Sequence, residues 1–124
     1  PLVVLDVAHN TDGIKQLVQQ IELSDHHQLH IIIGMVKDKE VESVLELLPK
    51  QARYYFTKAQ IPRALPEEEL QEKALSEGLK GHTYVEVNEA IHAALSVAGN
   101  HDMIIVCGSV FLVGEVNNGS IRQI

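Results

Sequence analysis

The side chains best suited to chemistry in this sequence fall just after short apolar runs. Asp6-Val7-Ala8-His9-Asn10 brings a carboxylate, an imidazole and an amide together within one turn of chain. Gly34-Met35-Val36-Lys37-Asp38-Lys39 sets two ammonium groups around a carboxylate, and Thr57, Lys58 and Arg63 follow a third apolar run. Gly108-Ser109 follows the last; a Gly-Ser turn that opens a helix presents backbone N–H groups to a carboxylate or phosphate. Each group also has a plainer use. Asp6 and Asn10 are residues that cap helices. His9 can be an idle loop histidine, Lys37, Asp38 and Lys39 a solvated turn, Ser109 an N-cap and Arg63 a surface charge. Asp6 and His9 do not make a metal site, because two ligands fall short of a coordination shell. Cys107, at the end of an apolar run, is expected to be an inert core thiol. The sequence holds no Gly-x-x-x-x-Gly-Lys-Ser/Thr phosphate loop, no Gly-x-Gly-x-x-Gly turn and no serine-hydrolase elbow.

These groups need elements to position them. Residues 2–5, 29–33 and 103–107 are unbroken apolar or nearly apolar runs, each expected to be a buried strand. Residues 52–57 are an aromatic-rich third strand, and 83–87 a weaker fourth. Between them lie helical stripes. Thr11 and Asp12 offer caps to a helix with apolar face Ile14, Leu17, Val18 and Ile21. Asp38 offers a cap to one built on Val41, Val44, Leu45 and Leu48, which Pro49 stops. Pro66 suits the first turn of a third helix whose Glu67, Glu68 and Glu69 favour the positive end of its dipole, with Gly78 and Gly81 ending it. Asn88 is the expected cap of a fourth, with stripe Ile91, Ala94, Leu95 and Ala98, and a short helix is expected over 110–116. Residues 117–124 carry little signal. Strand and helix alternate throughout, which calls for a Rossmann-like, mostly parallel sheet with helices on both faces. In such sheets ligands bind at the carboxyl ends of the strands, where the reactive residues fall.

Composition narrows the class. The 124 residues form one expected domain, 1–124, long enough to bury a core without disulfides; the single cysteine excludes an internal one. A formal charge of −7 argues against nonspecific nucleic-acid or acidic-membrane binding, which needs a basic face. No apolar run approaches the roughly 20 residues of a membrane span, and Pro1-Leu2-Val3 lacks the basic start of a signal peptide, so a cytoplasmic location is expected. The absence of an initial methionine suggests a piece of something longer.

Three segments carry a family resemblance. Leu5-Asp6-Val7-Ala8-His9-Asn10 resembles the Leu-Asp-Gly-Ala-His-Asn motif of folylpolyglutamate and dihydrofolate synthases, members of the Mur ligase superfamily. Residues 34–39 resemble that family's Gly-Met-Leu-Lys-Asp-Lys segment. Residues 107–116, Cys-Gly-Ser-Val-Phe-Leu-Val-Gly-Glu-Val, resemble its Thr-Gly-Ser-Leu-Tyr-Leu-Val-Gly-Glu-Val. The motifs occur in family order and span essentially the whole chain.

The resemblance implies a Mur ligase C-terminal (glutamate ligase) domain. Such enzymes use ATP to turn a folate or dihydropteroate carboxylate into an acyl phosphate, which the amine of L-glutamate attacks. The phosphate loop and the Mg2+ ligands are expected in an N-terminal ATPase domain outside this chain, so these residues alone are expected to be inactive, and a monomer. By position, Asp6 and His9 would contact nucleotide or glutamate in the interdomain cleft, with Asn10 supporting the turn. Lys37, Gly108 and Ser109 would meet carboxylate or phosphate, as anions require cationic or N–H donors. Asp6 would accept from the glutamate ammonium or a ribose hydroxyl, and His9 would be the base that frees the amine. Val7 departs from the family glycine, and would be strained at a positive φ but not in an extended conformation. Two other readings fit the architecture: a peptidoglycan-precursor Mur ligase, against which the Leu112-Val113-Gly114-Glu115-Val116 ending speaks, and a non-enzymatic docking module in which the strand-end residues are only caps.

Overall fold

A computed structural model describes residues 1–38 and 40–117. The element order is β1 (Leu2–Leu5), α1 (Thr11–Glu22), β2 (Leu29–Ile33), α2 (Val41–Leu47), β3 (Arg53–Phe56), α3 (Glu67–Ser76), β4 (Gly81–Thr83), α4 (Val87–Val97), β5 (Met103–Cys107) and α5 (Val110–Gly114). All strand pairs are parallel, in the order β1-β5-β2-β3-β4. Lys39 and residues 118–124, part of the stretch that carried little sequence signal, lie outside the described residues.

The central strands β2 and β5 are buried along their whole length. Successive side chains point to opposite faces, so one strand feeds two cores. Ile31, Ile33, Ile105 and Cys107 pack with Ile14, Leu17 and Ile21 of α1, Val44 and Leu45 of α2 and Leu70 of α3. Ile32, Ile104 and Val106 pack with Val87, Ala90, Ile91 and Ala94 of α4 and Leu112 of α5. Unbroken apolar runs are what burial on both faces requires. Among the described residues no helix is long and apolar enough to cross a membrane.

Several expectations are corrected. β1 is not a buried strand: β5 inserts between it and β2, leaving β1 at the edge with Leu2 60% and Leu5 41% exposed. The fourth strand lies earlier than 83–87 and contains Gly81, expected to end a helix. A Cβ at Gly81 would collide with the Tyr54 carbonyl, so glycine permits the β3–β4 approach. Only Gly78, at φ +80°, follows the end of α3. Val87 instead opens α4, whose cap is Glu86, accepting from the Asn88 N–H at 2.6 Å; Asn88 is not the cap. Asn10, rather than Thr11 or Asp12, caps α1 through the Gly13 N–H at 2.9 Å. Asp38 accepts from the Glu40 N–H, and Glu40, not Asp38, holds the N-cap position of α2.

A buried polar chain ties the amino ends of the central strands. His30, 1% exposed, meets Asp102 Oδ2 through Nε2 at 3.0 Å and the Tyr55 hydroxyl through Nδ1 at 2.9 Å. A carboxylate only accepts, so Nε2 carries hydrogen toward Asp102, and with a neutral ring the Tyr55 hydroxyl donates to Nδ1. Asp102 also accepts from the Gly99 and Gln28 N–H groups. The Gly99 N–H, then His30, then the Gln28 N–H hold its carboxyl well below the usual carboxylate range. A depressed folded-state value means that its stabilisation is complete above the ordinary carboxylate value and fades as pH falls below it. The gap in urea midpoint between wild type and Asp102→Asn is therefore expected to be widest near pH 7 and to narrow in acid. A gap constant between pH 7 and pH 3 would contradict this.

Candidate functional site

The strand order creates a crevice at the carboxyl end of the sheet. The chain leaves β1 and β2 toward the face covered by α1 and α2, whereas it leaves β5, between them, toward the face of α5. Loops that part to opposite faces leave a cleft, the usual ligand position in open parallel sheets.

Two glycines let these ends close up. Gly108 has φ +106°, and a Cβ there would stand 2.5 Å from the Gly34 carbonyl oxygen and 2.9 Å from Ile33 Cγ1. A Cβ on Gly34 would stand 2.8 Å from the Thr57 carbonyl oxygen. The ends of β5, β2 and β3 thus stack backbone against backbone. The Gly108 N–H donates to the Ala8 carbonyl at 2.8 Å, drawing the loop after β1 into the same group. Thr11 extends the tie: its N–H and hydroxyl donate to Glu40 Oε1 at 3.3 and 3.1 Å. The Thr57 hydroxyl, fully buried here, has no partner among the described residues.

The loop after β1 is a self-supporting turn. Asp6 Oδ1 accepts from the Ala8 N–H at 2.9 Å, the Asx arrangement that turns a chain. Asp6 therefore does not cap α1; Asn10 does. Val7 is half exposed, and no residue other than glycine takes a positive φ among the described residues, so valine sits here without that strain. His9 is exposed, and its Nδ1 lies 3.1 Å from the Val7 carbonyl. A carbonyl cannot donate, so this bond fixes hydrogen on Nδ1, and in the neutral ring the lone pair is the one on Nε2. Neither His9 Nε2 nor Asp6 Oδ2 has a protein partner among the described residues. Asp6, His9 and Asn10, with Gln16 and Gln20 of α1, line a hollow of about 290 Å3.

The other expected residues lie around this turn. Ser109 is 4% exposed and its Oγ accepts from the Phe111 N–H at 3.1 Å, so it is the N-cap of α5. That bond uses one of its two lone pairs, and its O–H remains to donate. Lys37 is exposed and does not line the hollow beside Asp6. Its N–H donates to the Arg63 carbonyl at 2.8 Å, the Leu65 N–H donates to the Met35 carbonyl at 2.8 Å, and Val36 forms an antiparallel bridge with Ala64. This zipper makes Lys37 and Arg63 neighbours. Arg63, which reads from sequence as a surface charge, thus joins the candidate cationic groups; the proline before it gave no hint of a partner in the preceding loop. Cys107 lies beneath Asp6, buried. Burial, and then the Asp6 charge, push its thiol up to about 12, which keeps it protonated and unreactive. Among the described residues no group of three or more His, Cys, Asp or Glu comes together to hold a metal.

The arrangement offers an imidazole nitrogen and a carboxylate oxygen on one lip, and two cations on a neighbouring pair of bridged loops. That suits a substrate with an ammonium group and separate carboxylates. The chain is similar to known proteins. Residues 1–110 match the family described as "Mur ligase, glutamate ligase domain". The chain is 33% identical, over its whole length, to a probable bifunctional folylpolyglutamate synthase/dihydropteroate synthase of Haloferax volcanii, covering 15% of that protein. It is 32% identical over 93% of its length to a dihydrofolate synthase/folylpolyglutamate synthase of Buchnera aphidicola, covering 28% of it. A crystal structure of a bifunctional folylpolyglutamate synthase/dihydrofolate synthase with Mn, AMPPNP and L-glutamate bound superposes with a TM-score of 0.85 at 28% identity, over 96% of this chain and 29% of that one. The chain thus spans less than a third of each of these proteins.

Proposed function

The chain belongs to the family of Mur ligase glutamate ligase domains, and from that premise we propose that it is the glutamate-handling domain of an ATP-dependent ligase that joins L-glutamate to a folate or dihydropteroate carboxylate. The carboxylate is activated as an acyl phosphate and the glutamate amine displaces the phosphate, forming an amide. The observation that carries this reading is the turn at residues 6–10, which leaves His9 Nε2 and Asp6 Oδ2 without a partner among the described residues at the switch point of the sheet.

An ammonium group cannot attack, so the incoming amine must lose a proton. His9 Nε2 takes that proton, its tautomer set by the Val7 carbonyl, and Asp6 Oδ2 accepts from the same ammonium or from a ribose hydroxyl. Asn10 holds the turn by capping α1. Lys37 and Arg63 meet the glutamate carboxylates, and the Gly108-Ser109 turn contributes the Ser109 O–H to an anion. ATP supplies the phosphoryl group. The reading places the phosphate loop and Mg2+ ligands in an N-terminal ATPase domain of the longer protein, working in the cytoplasm. The names of the relatives and the ligands of the solved structure support this assignment over a peptidoglycan precursor or a docking role.

Lys37→Ala and Arg63→Ala test the glutamate site in the longer protein. Each removes one charge-assisted bond, and the Michaelis constant for L-glutamate is expected to rise about tenfold, with a smaller change in kcat. An unchanged glutamate KM in both variants would remove these residues from the site.

A further inference from the structure

A larger hollow, of about 610 Å3, lies at the opposite edge of the sheet, between β4 and α4. That volume falls within the roughly 300–1,000 Å3 of small-ligand sites. It shares no lining residue with the hollow at residues 6–10. Tyr55 and Tyr84 form an aromatic floor, with ring centroids 5.9 Å apart and planes at 32°. The Tyr55 hydroxyl is bound to His30, which anchors that ring. Ala93 and Val97 of α4 supply the apolar wall.

Charge gives the hollow a direction. Arg53 opens β3, and Lys80 precedes Gly81, which pairs with Tyr54, so the two cations stand level at one end. Neither has a carboxylate partner among the described residues. Two cations without an ion pair on one rim are an uneven placement in a chain with 10 basic and 17 acidic residues. Beyond Tyr84 the surface turns acidic, with Glu86 and Glu89. A peptide strand adding to β4 is disfavoured, because Gln71 Nε2 already donates to the Gly81 carbonyl at 2.8 Å and covers the edge there.

We propose that this hollow is a second ligand site, which takes a small planar aromatic molecule bearing a carboxylate or phosphate, with its ring on Tyr84 and its anion between Arg53 and Lys80. Stacking on the tyrosine and charge-assisted bonds to the cations supply recognition. The site is independent of the ligase reading, and its failure would leave that reading untouched.

Amide NMR of the chain, titrated separately with p-aminobenzoyl-L-glutamate and with AMP, tests it. At least one probe is expected to give saturable shifts at Gly81, His82, Tyr84, Ser96 and Val97; a response to the first alone assigns an aryl carboxylate, and to AMP alone an aryl phosphate. Arg53→Glu with Lys80→Glu is expected to weaken binding about 100-fold, and Lys15→Glu on α1 not at all. If charge reversal disturbs the spectrum, Arg53→Gln and Lys80→Gln take its place, with about tenfold weakening each. No saturable shift with either probe, shifts confined to residues 6–10, or binding unchanged by loss of both cations would overturn the proposal.

Discussion

Gly108→Ala is expected to lower the melting temperature on the order of 10 °C and to disorganise the crevice. Two costs add at this position. A side chain at φ +106° costs about 1–3 kcal/mol. The new Cβ would also stand 2.5 Å from the Gly34 carbonyl oxygen and 2.9 Å from Ile33 Cγ1. The carbonyl is backbone held in the sheet and cannot swing aside, so relief requires β5 and β2 to part, at a cost of about 1–3 kcal/mol more. A total of about 3 kcal/mol in a domain of this size corresponds to the stated shift. Gly114→Ala is the control: none of the described residues lies within 4 Å of a Cβ there, and the residue ends α5. Thermal unfolding by circular dichroism checks both. A Gly108→Ala protein that melts within about a degree of wild type would show that the three strand ends are not held together as described.

His9→Ala and Asp6→Ala are expected to reduce glutamate ligation by the longer protein about 100-fold or more, the scale of a lost general base. Their effects on stability should be small. His9 is exposed and makes one local bond to its own turn. Asp6 is partly buried and loses its bond to the Ala8 N–H, about 1 kcal/mol. The two variants should differ in kind. His9→Ala removes the proton acceptor, so its loss should lie in kcat and shrink as pH rises and more of the glutamate amine is free. Asp6→Ala removes an acceptor for ammonium or ribose, so its loss should fall partly on KM for L-glutamate or ATP. Steady-state rates across pH, with circular dichroism as the folding check, separate these. Normal glutamate kinetics in either variant would withdraw that residue from the site.

The sequence carried the fold class because its signal is local. Val41, Val44 and Leu45 declare a helix face, and 29–33 declare a strand buried on both sides, without reference to any distant residue. Strand order is not written that way. The run at 2–5 has the same composition whether central or at an edge, and only the passage of β5 between β1 and β2 decides it. The bounds of the fourth strand are hidden for a similar reason: Gly81 has the character of a helix stop, and only the Tyr54 carbonyl packed against it makes glycine a strand requirement there. Three adjacent residues, Asn10, Thr11 and Asp12, all have capping side chains, and Thr11 is drawn away by Glu40, 29 residues along the chain. Asp6, His9 and Asn10 were legible because one turn contains them. His30 was not, because its partner Asp102 is 72 residues distant and a histidine inside an apolar run carries no mark of its own. Arg63 reads as a surface charge because the bridge that brings it to Lys37 pairs two loops from different crossovers.

The central claim is that the crevice at the ends of β1, β5 and β2 is one half of a glutamate ligase site. The direct measurement is ATP-dependent incorporation of labelled L-glutamate into dihydropteroate and into tetrahydrofolate, by the longer protein carrying this chain and by these 124 residues alone. Incorporation by the longer protein into at least one acceptor, with none by the chain alone, is the predicted result. Robust incorporation by the chain alone, or none into either acceptor by the longer protein, would contradict it.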